Sequence, residues 1–233
     1  MTGYLDGFLF GIYPYIALGV LLVGSIIRYD REPYSWRSGS SQLLRRRLLV
    51  AGSVTFHAGV LVVFVGHLVG LLTPIALFEA VGIGHGFKQV MAMAVGGVAG
   101  ALALFGATLL LYRRLADTRV RRSSSFGDIA ILALLWLQLL LGLATIAVSA
   151  EHLDGGEMVK MMTWAQGIFT FRPSVAALIA DTHPLFKLHI FLGLTIFLVF
   201  PFTRLVHMLS LPLRYFWRGG WQVVRARPLA VRR

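Results

Sequence analysis

The stretch FHAGVLVVFVGHLVG, residues 56–70, places two histidines in a run that is otherwise almost wholly apolar. An imidazole is costly in hydrocarbon unless a hydrogen bond or a bound metal satisfies it. The surrounding apolar segment, residues 48–72, is long enough to cross a bilayer, because a spanning helix needs roughly 20 apolar residues. His57 and His67 therefore raise two questions: how many spans accompany this one, and what the histidines bind.

The composition of the whole chain predicts a membrane protein. Of its 233 residues, 57% are hydrophobic and only 14% are charged, and the mean hydropathy is +0.76. Five segments qualify as spans, at approximately 7–27, 48–72, 90–112, 129–150 and 185–209. Because they use up most of the chain, we expect residues 1–233 to form one unit. The predicted fold is an all-α integral membrane protein, an antiparallel bundle of five transmembrane helices.

The distribution of charge predicts the orientation of the bundle. The net charge is +12, and 18 of the 22 basic residues lie in the first and third connections between spans or near and after the end of the fifth. The positive-inside rule then puts the N-terminus outside and the C-terminus in the cytoplasm. Anionic membrane lipid, or an acidic partner docked on the cytoplasmic face, is the expected counterpart. Nucleic acid is not expected, because the arginines are divided among three regions and no binding motif accompanies them.

Several chemistries are excluded by the absence of cysteine. Disulfides, covalent CxxCH haem attachment, cysteine-ligated iron–sulfur clusters and thiol catalysis all need this residue. Glycine-rich phosphate loops are also missing. The longest connection, residues 151–181, is apolar and aromatic in its middle, so we expect it to lie at the outer interface. Residues 212–233 mix arginine with aromatic residues and are typical of an inner-interface segment.

Four of the seven histidines lie within predicted spans. The other three, His85, His152 and His183, fall in outer loops or at a span end, where solvated or capping side chains are the simpler interpretation. Since spans two and five run in opposite directions, depth pairs His57 with His207 toward the inside and His67 with His189 toward the outside. An iron porphyrin needs one axial nitrogen on each face, and two antiparallel helices provide that at each level.

Helical geometry supports this pairing only in part. If span five is one continuous helix, the 18 residues from His189 to His207 make five whole turns, with a rise of about 27 Å. The 10 residues from His57 to His67 rise only about 15 Å and leave the two rings roughly 80° apart. Glycines next to the histidines could admit a flat ring against a helix, although small residues also serve ordinary close packing of membrane helices. These glycines are Gly52, Gly59, Gly66, Gly70 and Gly193.

Four segments together resemble the gamma subunit of respiratory nitrate reductase. They are FHAGVLVVFVGHLVG (56–70), FKQVMAMAVGGVAG (87–100), SAEHLDGGEMVKMMTWAQ (149–166) and LHIFLGLTIFLVFPFTRLVHMLS (188–210). The resemblance covers nearly the whole chain, in order and with similar spacing. It implies a quinol-oxidising subunit with two b-type haems in the bacterial or archaeal cell membrane. It also implies two cytoplasmic partners, an iron–sulfur subunit and a molybdenum-containing catalytic subunit.

The resemblance assigns roles to individual residues. It implies that His57 and His207 ligate the inner haem, and that His67 and His189 ligate the outer haem. It further implies a quinol site at Lys88, with Gly66 allowing the quinone ring to approach the outer haem. A lysine at this depth could instead extend to the lipid headgroups. Three arginines are candidate partners of the haem propionates, or else simply set the topology: Arg113, Arg114 and Arg204.

Two alternative functions stay open at this point. The chain could be the equivalent dihaem subunit of another respiratory complex, with the same membrane chemistry and different soluble partners. It could also be a transporter with a histidine-lined metal or proton path, but such sites usually add intramembrane acids and often an inverted repeat. The spans carry almost no acidic residues, so the transporter is the weaker alternative. The expected donor is either menaquinol or ubiquinol.

Overall fold

The computed structural model describes residues 2–36 and 44–210. Five helices in these ranges are long and apolar enough to cross a membrane, at Gly3–Arg31, Arg46–Leu72, His85–Ala116, Phe126–Ser149 and Pro184–Phe202, here numbered spans one to five. The described residues form no strand. The prediction of an all-α, five-span membrane protein is therefore confirmed. The C-terminus and the predicted inner-interface segment lie outside the described residues.

The elements follow one another in chain order as helices of very different length. They are α1 (Thr2–Gly7), a π-helical turn (Phe8–Ile12), α2 (Tyr13–Arg31), a 3-10 turn (Pro33–Ser35), α3 (Arg46–Leu72), α4 (Ile75–Ala80), α5 (His85–Ala116), α6 (Thr118–Arg122), α7 (Phe126–Ser149), α8 (Gly156–Phe169), a 3-10 turn (Val175–Ile179), α9 (Pro184–Val199) and two 3-10 turns (Phe200–Phe202 and Arg204–Leu209). Helix α8 lies in the long connection that was expected not to cross the membrane, and it is not among the five spans.

Local capping explains where several helices begin. Ser125 and Asp128 form a reciprocal capping box at the start of span four, with each side chain accepting from the other residue's backbone N–H. Asp117 caps α6 by accepting from the backbone N–H groups of Arg119 and Val120, and it pairs with Arg45 at 2.8 Å. The backbone amide of Val120, followed by that of Arg119 and by the Arg45 charge, holds the pKa of Asp117 below its usual value.

The spans pack side by side in the order two, three, four, five, one. Spans two and three are pressed together through small residues, since a Cβ added at Gly52 would lie 3.0 Å from Leu110. Gly59 fits more closely still, against Ala99 and Ala103 of span three. This is the close approach that small residues permit between membrane helices. Large apolar side chains on the opposite faces, such as Val98 and Phe105, are exposed in the way that lipid contact requires.

Two clusters close the ends of the bundle. The arginine-rich end, which holds residues 44–47, 113–125 and 204–210, contains an apolar cluster of Ile131, Ile196, Phe200, Leu205 and Val206. The opposite end, here called the far end, holds α4 and α8. There Trp164 and Ile168 of α8 pack against Phe10 of span one and Leu194 of span five. The indole N–H of Trp164 also donates to the Phe10 carbonyl at 3.0 Å. Helix α8 thus ties spans one and five to the rest of the bundle.

Span five differs from the continuous helix expected over residues 185–209. Its α-helix ends at Val199, followed by a short 3-10 turn, an extended residue at Thr203 and a second 3-10 turn that carries His207. Pro201 has no N–H to donate and its ring disfavours a continuing helix, which explains the break. The rise and rotation calculated for an unbroken helix between His189 and His207 therefore do not apply.

Candidate functional site: two histidine pairs and a buried lysine

The structure brings the four span histidines together as two facing pairs. The rings of His57 and His207, at the arginine-rich end, have centroids 6.3 Å apart and planes inclined by 70°. The rings of His67 and His189, toward the far end, have centroids 6.2 Å apart and planes inclined by 44°. These are the same two pairs that depth in the membrane predicts. Below they are called the arginine-end pair and the far-end pair.

Three of the four imidazoles are oriented by backbone carbonyls. Nδ1 of His57 donates to the Ser53 carbonyl at 2.7 Å, and Nδ1 of His67 donates to the Val63 carbonyl at 2.8 Å. Nδ1 of His207 donates to the Arg204 carbonyl at 2.5 Å. A carbonyl only accepts, so each Nδ1 carries a proton, and in the neutral imidazole this leaves the lone pair on Nε2. This is the arrangement in which histidine usually binds a metal, with the second ring nitrogen held by the protein.

His189 is held differently, by span four. The side-chain amide of Gln138 donates to the His189 carbonyl at 3.1 Å and lies 3.4 Å from Nε2 of the ring. Gly142 allows the ring to approach this closely, because a Cβ there would lie 3.0 Å from Cε1 of His189. Within the described part of the chain, the buried Nδ1 of His189 has no hydrogen-bond partner. A buried polar atom left in this way is uncommon in proteins, and a ligand would account for it.

The spacing within each pair fits a metal ion between two imidazoles. A metal lies about 2 Å from an imidazole nitrogen, so rings on opposite sides of one ion have centroids about 6 Å apart. Among the described residues, no three histidine or acidic side chains cluster closely enough to form a metal site by themselves. Each pair supplies two ligands, the number that the iron of a porphyrin takes from a protein that ligates it on both faces. The residues present therefore fit a haem at each level.

The glycines near the histidines divide into two groups. Gly52 and Gly59 face span three and serve helix packing, so the idea that they admit a flat ring is wrong. Gly193 of span five approaches Gln138, with 3.1 Å between an added Cβ and Nε2 of the amide. At Gly66 and Gly70 an added Cβ would meet no atom of the described residues within 4 Å. These two glycines, one residue before and three residues after His67, leave the helix surface accessible to a ligand.

Lys88 lies inside the protein at the far end and does not extend to the headgroups. Its residue is 3% exposed, and Nζ donates to the Gly70 carbonyl and to the sulfur of Met162, each at 2.8 Å. Nζ also lies 3.7 Å from the centroid of the Phe78 ring. Gly70 follows His67 by three residues, so the ammonium group sits about one helical turn from the far-end pair. Helices α4 and α8 thus hold a cation beside this pair.

The three arginines considered for propionates are all at the arginine-rich end and have protein partners. The Arg113 side chain is buried and donates to the Leu44 carbonyl at 2.6 Å, and Arg114 donates to the Ser124 hydroxyl at 2.8 Å. Arg204 binds the Asp128 carboxylate through Nε at 2.7 Å and Nη2 at 2.5 Å. Arg204 is also in the turn that carries His207. Contacts of these arginines with propionates stay a prediction.

Sequence reasoning missed two side chains with contacts at or near the histidines. Gln138, which contacts His189, is an amide in the middle of the apolar run LLWLQLLLG, and that isolation was a usable signal. Arg28, which contacts the break in span five, was interpreted only as a topology-setting arginine. Its contacts join residues more than 170 positions apart, for which the sequence carries no local signal.

Comparison with known proteins gives a consistent result. Residues 6–227 match the family model described as the nitrate reductase gamma subunit. The chain is 48% identical to the respiratory nitrate reductase 2 gamma chain of Escherichia coli (strain K12), over 97% of this chain and all of that protein. It is also 48% identical to the respiratory nitrate reductase 1 gamma chain of the same organism, over 96% and 99% of the two chains. Identity to the nitrate reductase gamma chain of Bacillus subtilis (strain 168) is 40%, over 91% and 94%.

Proposed function

The chain belongs to the nitrate reductase gamma subunit family, and on this premise we propose that it oxidises membrane quinol and passes the electrons through two b haems to its partner subunits. As a gamma chain, it is a multi-pass membrane subunit of an oxidoreductase complex that contains other nitrate reductase subunits. The finer proposal concerns its cofactors, its substrate and the direction of electron flow. One observation carries it: two facing histidine pairs, with centroids 6.3 and 6.2 Å apart, stacked along the bundle.

In this proposal the two histidine pairs would hold the two haems. His57 and His207 would bind one iron, and His67 and His189 would bind the other. Haem supplies a one-electron carrier at each level, which lets a two-electron donor deliver its electrons singly. The backbone carbonyls that accept from Nδ1 of His57, His67 and His207 orient these rings, and Nε2 of each ring would be the atom that binds the metal. The His189 ring is positioned differently, by contacts with Gln138 and Gly142 of span four, and Nδ1 is its ring nitrogen without a partner among the described residues.

Lys88 is proposed to bind the quinol beside the far-end pair. Its ammonium group has three N–H donors, and one of its two hydrogen-bond acceptors is the weakly accepting sulfur of Met162. A quinol or quinone oxygen is a better acceptor and could replace that contact. A cation at this place also stabilises the negative charge that develops as quinol loses a proton. Gly66, without a side chain, leaves the surface next to His67 accessible to the quinol ring.

The orientation follows from the basic residues. We propose that the arginine-rich end faces the cytoplasm and the far end faces outside, with the N-terminus outside. Quinol then releases its two protons on the outer side, while its two electrons leave at the arginine-end pair. On the cytoplasmic face they reach the iron–sulfur subunit and then the molybdenum subunit, where nitrate is reduced. This separation of charge across a bacterial or archaeal cell membrane is what makes the reaction respiratory.

The purified complex tests the proposal directly. The chain is produced with its partner subunits, haem b is quantified after extraction, and the oxidised complex is mixed anaerobically with a menaquinol or a ubiquinol analogue. We expect two non-covalent haems per gamma chain, both reduced by at least one of the two quinols. A complex without haem would contradict the cofactor assignment. Haems that dithionite reduces but neither quinol does would contradict the assignment of quinol as the donor.

A further inference from the structure

The break in span five separates His207 from the regular helix. Helix α9 ends at Val199, and Thr203 is extended, with φ −119° and ψ 177°. A break of this kind interrupts the regular hydrogen-bond ladder, so the carbonyls around it need other donors in a membrane. The direction in which the chain leaves the break decides where His207 lies relative to His57.

The donor at this break is Arg28, near the end of span one. Its Nη1 donates to the Pro201 carbonyl at 2.6 Å and to the Thr203 carbonyl at 2.8 Å. The other edge of the guanidinium group is anchored as well, because Nε donates to the Ser35 hydroxyl at 3.0 Å and Nη2 to the Ser35 carbonyl at 3.1 Å. One side chain therefore joins the turn after span one to both sides of the break.

Packing one turn earlier supports the same contact. Gly24 of span one lies directly against the Pro201 ring, since a Cβ added at Gly24 would be 2.9 Å from Cγ of the proline. Span one thus contacts the break on two successive turns. Gly24 leaves room for the Pro201 ring, and Arg28 binds the adjoining carbonyls.

The held segment leads directly to His207. The Thr203 hydroxyl accepts from the Leu205 amide at 3.3 Å, which starts the 3-10 turn Arg204–Leu209. The carbonyl of Arg204, the residue after Thr203, is the acceptor that orients the His207 ring. We propose that Arg28 is a positioning residue for the arginine-end pair: by fixing Pro201 and Thr203, it sets the place and direction of His207. This inference rests on the proposed function, in which His207 ligates a haem.

The test uses the purified holo-complex and substitutions at Arg28. In Arg28→Gln we expect weakened ligation by His207, seen as a partly high-spin haem that binds carbon monoxide and as a potential shifted in that component alone. For a one-electron carrier, a tenfold change in the relative stability of the oxidised and reduced haem shifts its potential by about 59 mV. The Arg28→Lys variant keeps the charge but cannot bridge two carbonyls and Ser35, so we expect an intermediate shift. Arg31→Gln, which removes an exposed arginine one turn later, is the matched control and should change neither haem.

The outcomes separate the inference from the function on which it rests. Wild-type spectra and potentials in both Arg28 variants would overturn the positioning role. If the Arg28→Gln complex does not assemble, the Arg28→Lys and Ser35→Ala complexes replace it in the test. A potential shifted only in the arginine-end haem component supports the positioning role. Unshifted potentials in both variants overturn it. A His207→Ala complex that keeps both haem components unchanged would instead contradict the proposed function itself.

Discussion

The two histidine pairs reach nearly the same ring separation by different construction. In the far-end pair both ligands lie on regular α-helices, and one of them, His189, touches side chains of span four. In the arginine-end pair His207 lies on a 3-10 turn beyond a break, its ring is bound to the Arg204 carbonyl, and Arg28 contacts the break before it. The centroid distances are nevertheless 6.2 and 6.3 Å.

The two pairs therefore reach nearly the same ring separation although their histidines are spaced differently along spans two and five. The histidines of span two are 10 residues apart, and those of span five are 18 residues apart, which no pair of straight antiparallel helices can match without compensation. Span five is not a straight helix between its two histidines, because its α-helix ends at Val199 and the chain changes direction at Pro201 and Thr203. The ring of His189 thus contacts a side chain of a neighbouring span, and the ring of His207 contacts a backbone carbonyl of its own turn.

The largest expected effect is the loss of one haem component while the other is retained. His57→Ala and His207→Ala should each abolish the same haem component, and His67→Ala and His189→Ala should each abolish the other, because one axial ligand per face is needed. Redox titration of the visible spectrum counts the surviving component. If one substitution from each pair removed the same component, the pairing by distance would have to be abandoned.

A second prediction concerns the cation that only the far-end pair has beside it. Lys88→Ala should lower the rate of quinol oxidation by tenfold or more, because a hydrogen bond to a charged group contributes about 1.5–3 kcal/mol. Both haems should remain, and electron transfer from an artificial donor to the soluble subunits should be unchanged.

Lys160→Ala is the matched control for Lys88. Lys160 lies on α8 at the same end and is bound to Glu157 and Asp181 at 3.0 and 2.8 Å, so its replacement removes an equal charge away from the proposed quinol position. These carboxylates raise the pKa of Lys160, Asp181 first. A normal quinol oxidation rate in Lys88→Ala, or an equal loss in both variants, would remove Lys88 from the site.

A third prediction uses a glycine whose substitution the protein itself should tolerate. An added methyl group at Gly66 meets no atom of the described residues within 4 Å, and alanine favours a helix over glycine by about 1 kcal/mol. Gly66→Ala should therefore fold normally with both haems, but oxidise quinol several-fold more slowly if the quinol ring approaches here. Gly96→Ala on span three, which is equally unhindered, is the control. Equal steady-state rates in the two variants would argue against an approach at Gly66.

The smallest expected effect is a shift in the potential of the far-end haem alone. Gln138→Leu removes the amide that contacts the His189 ring and its carbonyl but leaves the ligand in place. Ligand basicity depends on such contacts, so we expect a shifted potential of the far-end haem without loss of haem. The arginine-end haem of the same molecule is the internal reference in the titration. A shift of equal size in both components would indicate a general structural change.

The sequence predicted the spans and the pairing of the histidines well, because both depend on quantities that are local along the chain. Hydropathy reports transfer from water to lipid, and it placed span two at 48–72 where the structure has Arg46–Leu72. Depth then paired His57 with His207 without any knowledge of helix packing. Hydropathy averaged along a span did not reveal the break at Pro201, because a single proline changes the hydrogen bonding of a span more than its mean hydropathy.

What the sequence could not provide are contacts between distant segments. That Gly52 and Gly59 face span three, while Gly66 does not, depends on how span two is rotated about its axis. Lys88 was expected near His67, but its burial by α4 and α8 depends on how the outer connections fold over the bundle. Sequence patterns indicate which residues are unusual, and packing decides which neighbours they meet.

The close packing of span two on span three has a consequence for the order of assembly. Two consecutive spans that fit through glycine and alanine can form a helical hairpin as soon as both have entered the bilayer. Each histidine pair, in contrast, joins span two to span five, the last to be synthesised. If the pairs hold haems as proposed, a haem bound earlier would have only one of its two histidine ligands. Neither haem would then be retained stably until span five has joined span two.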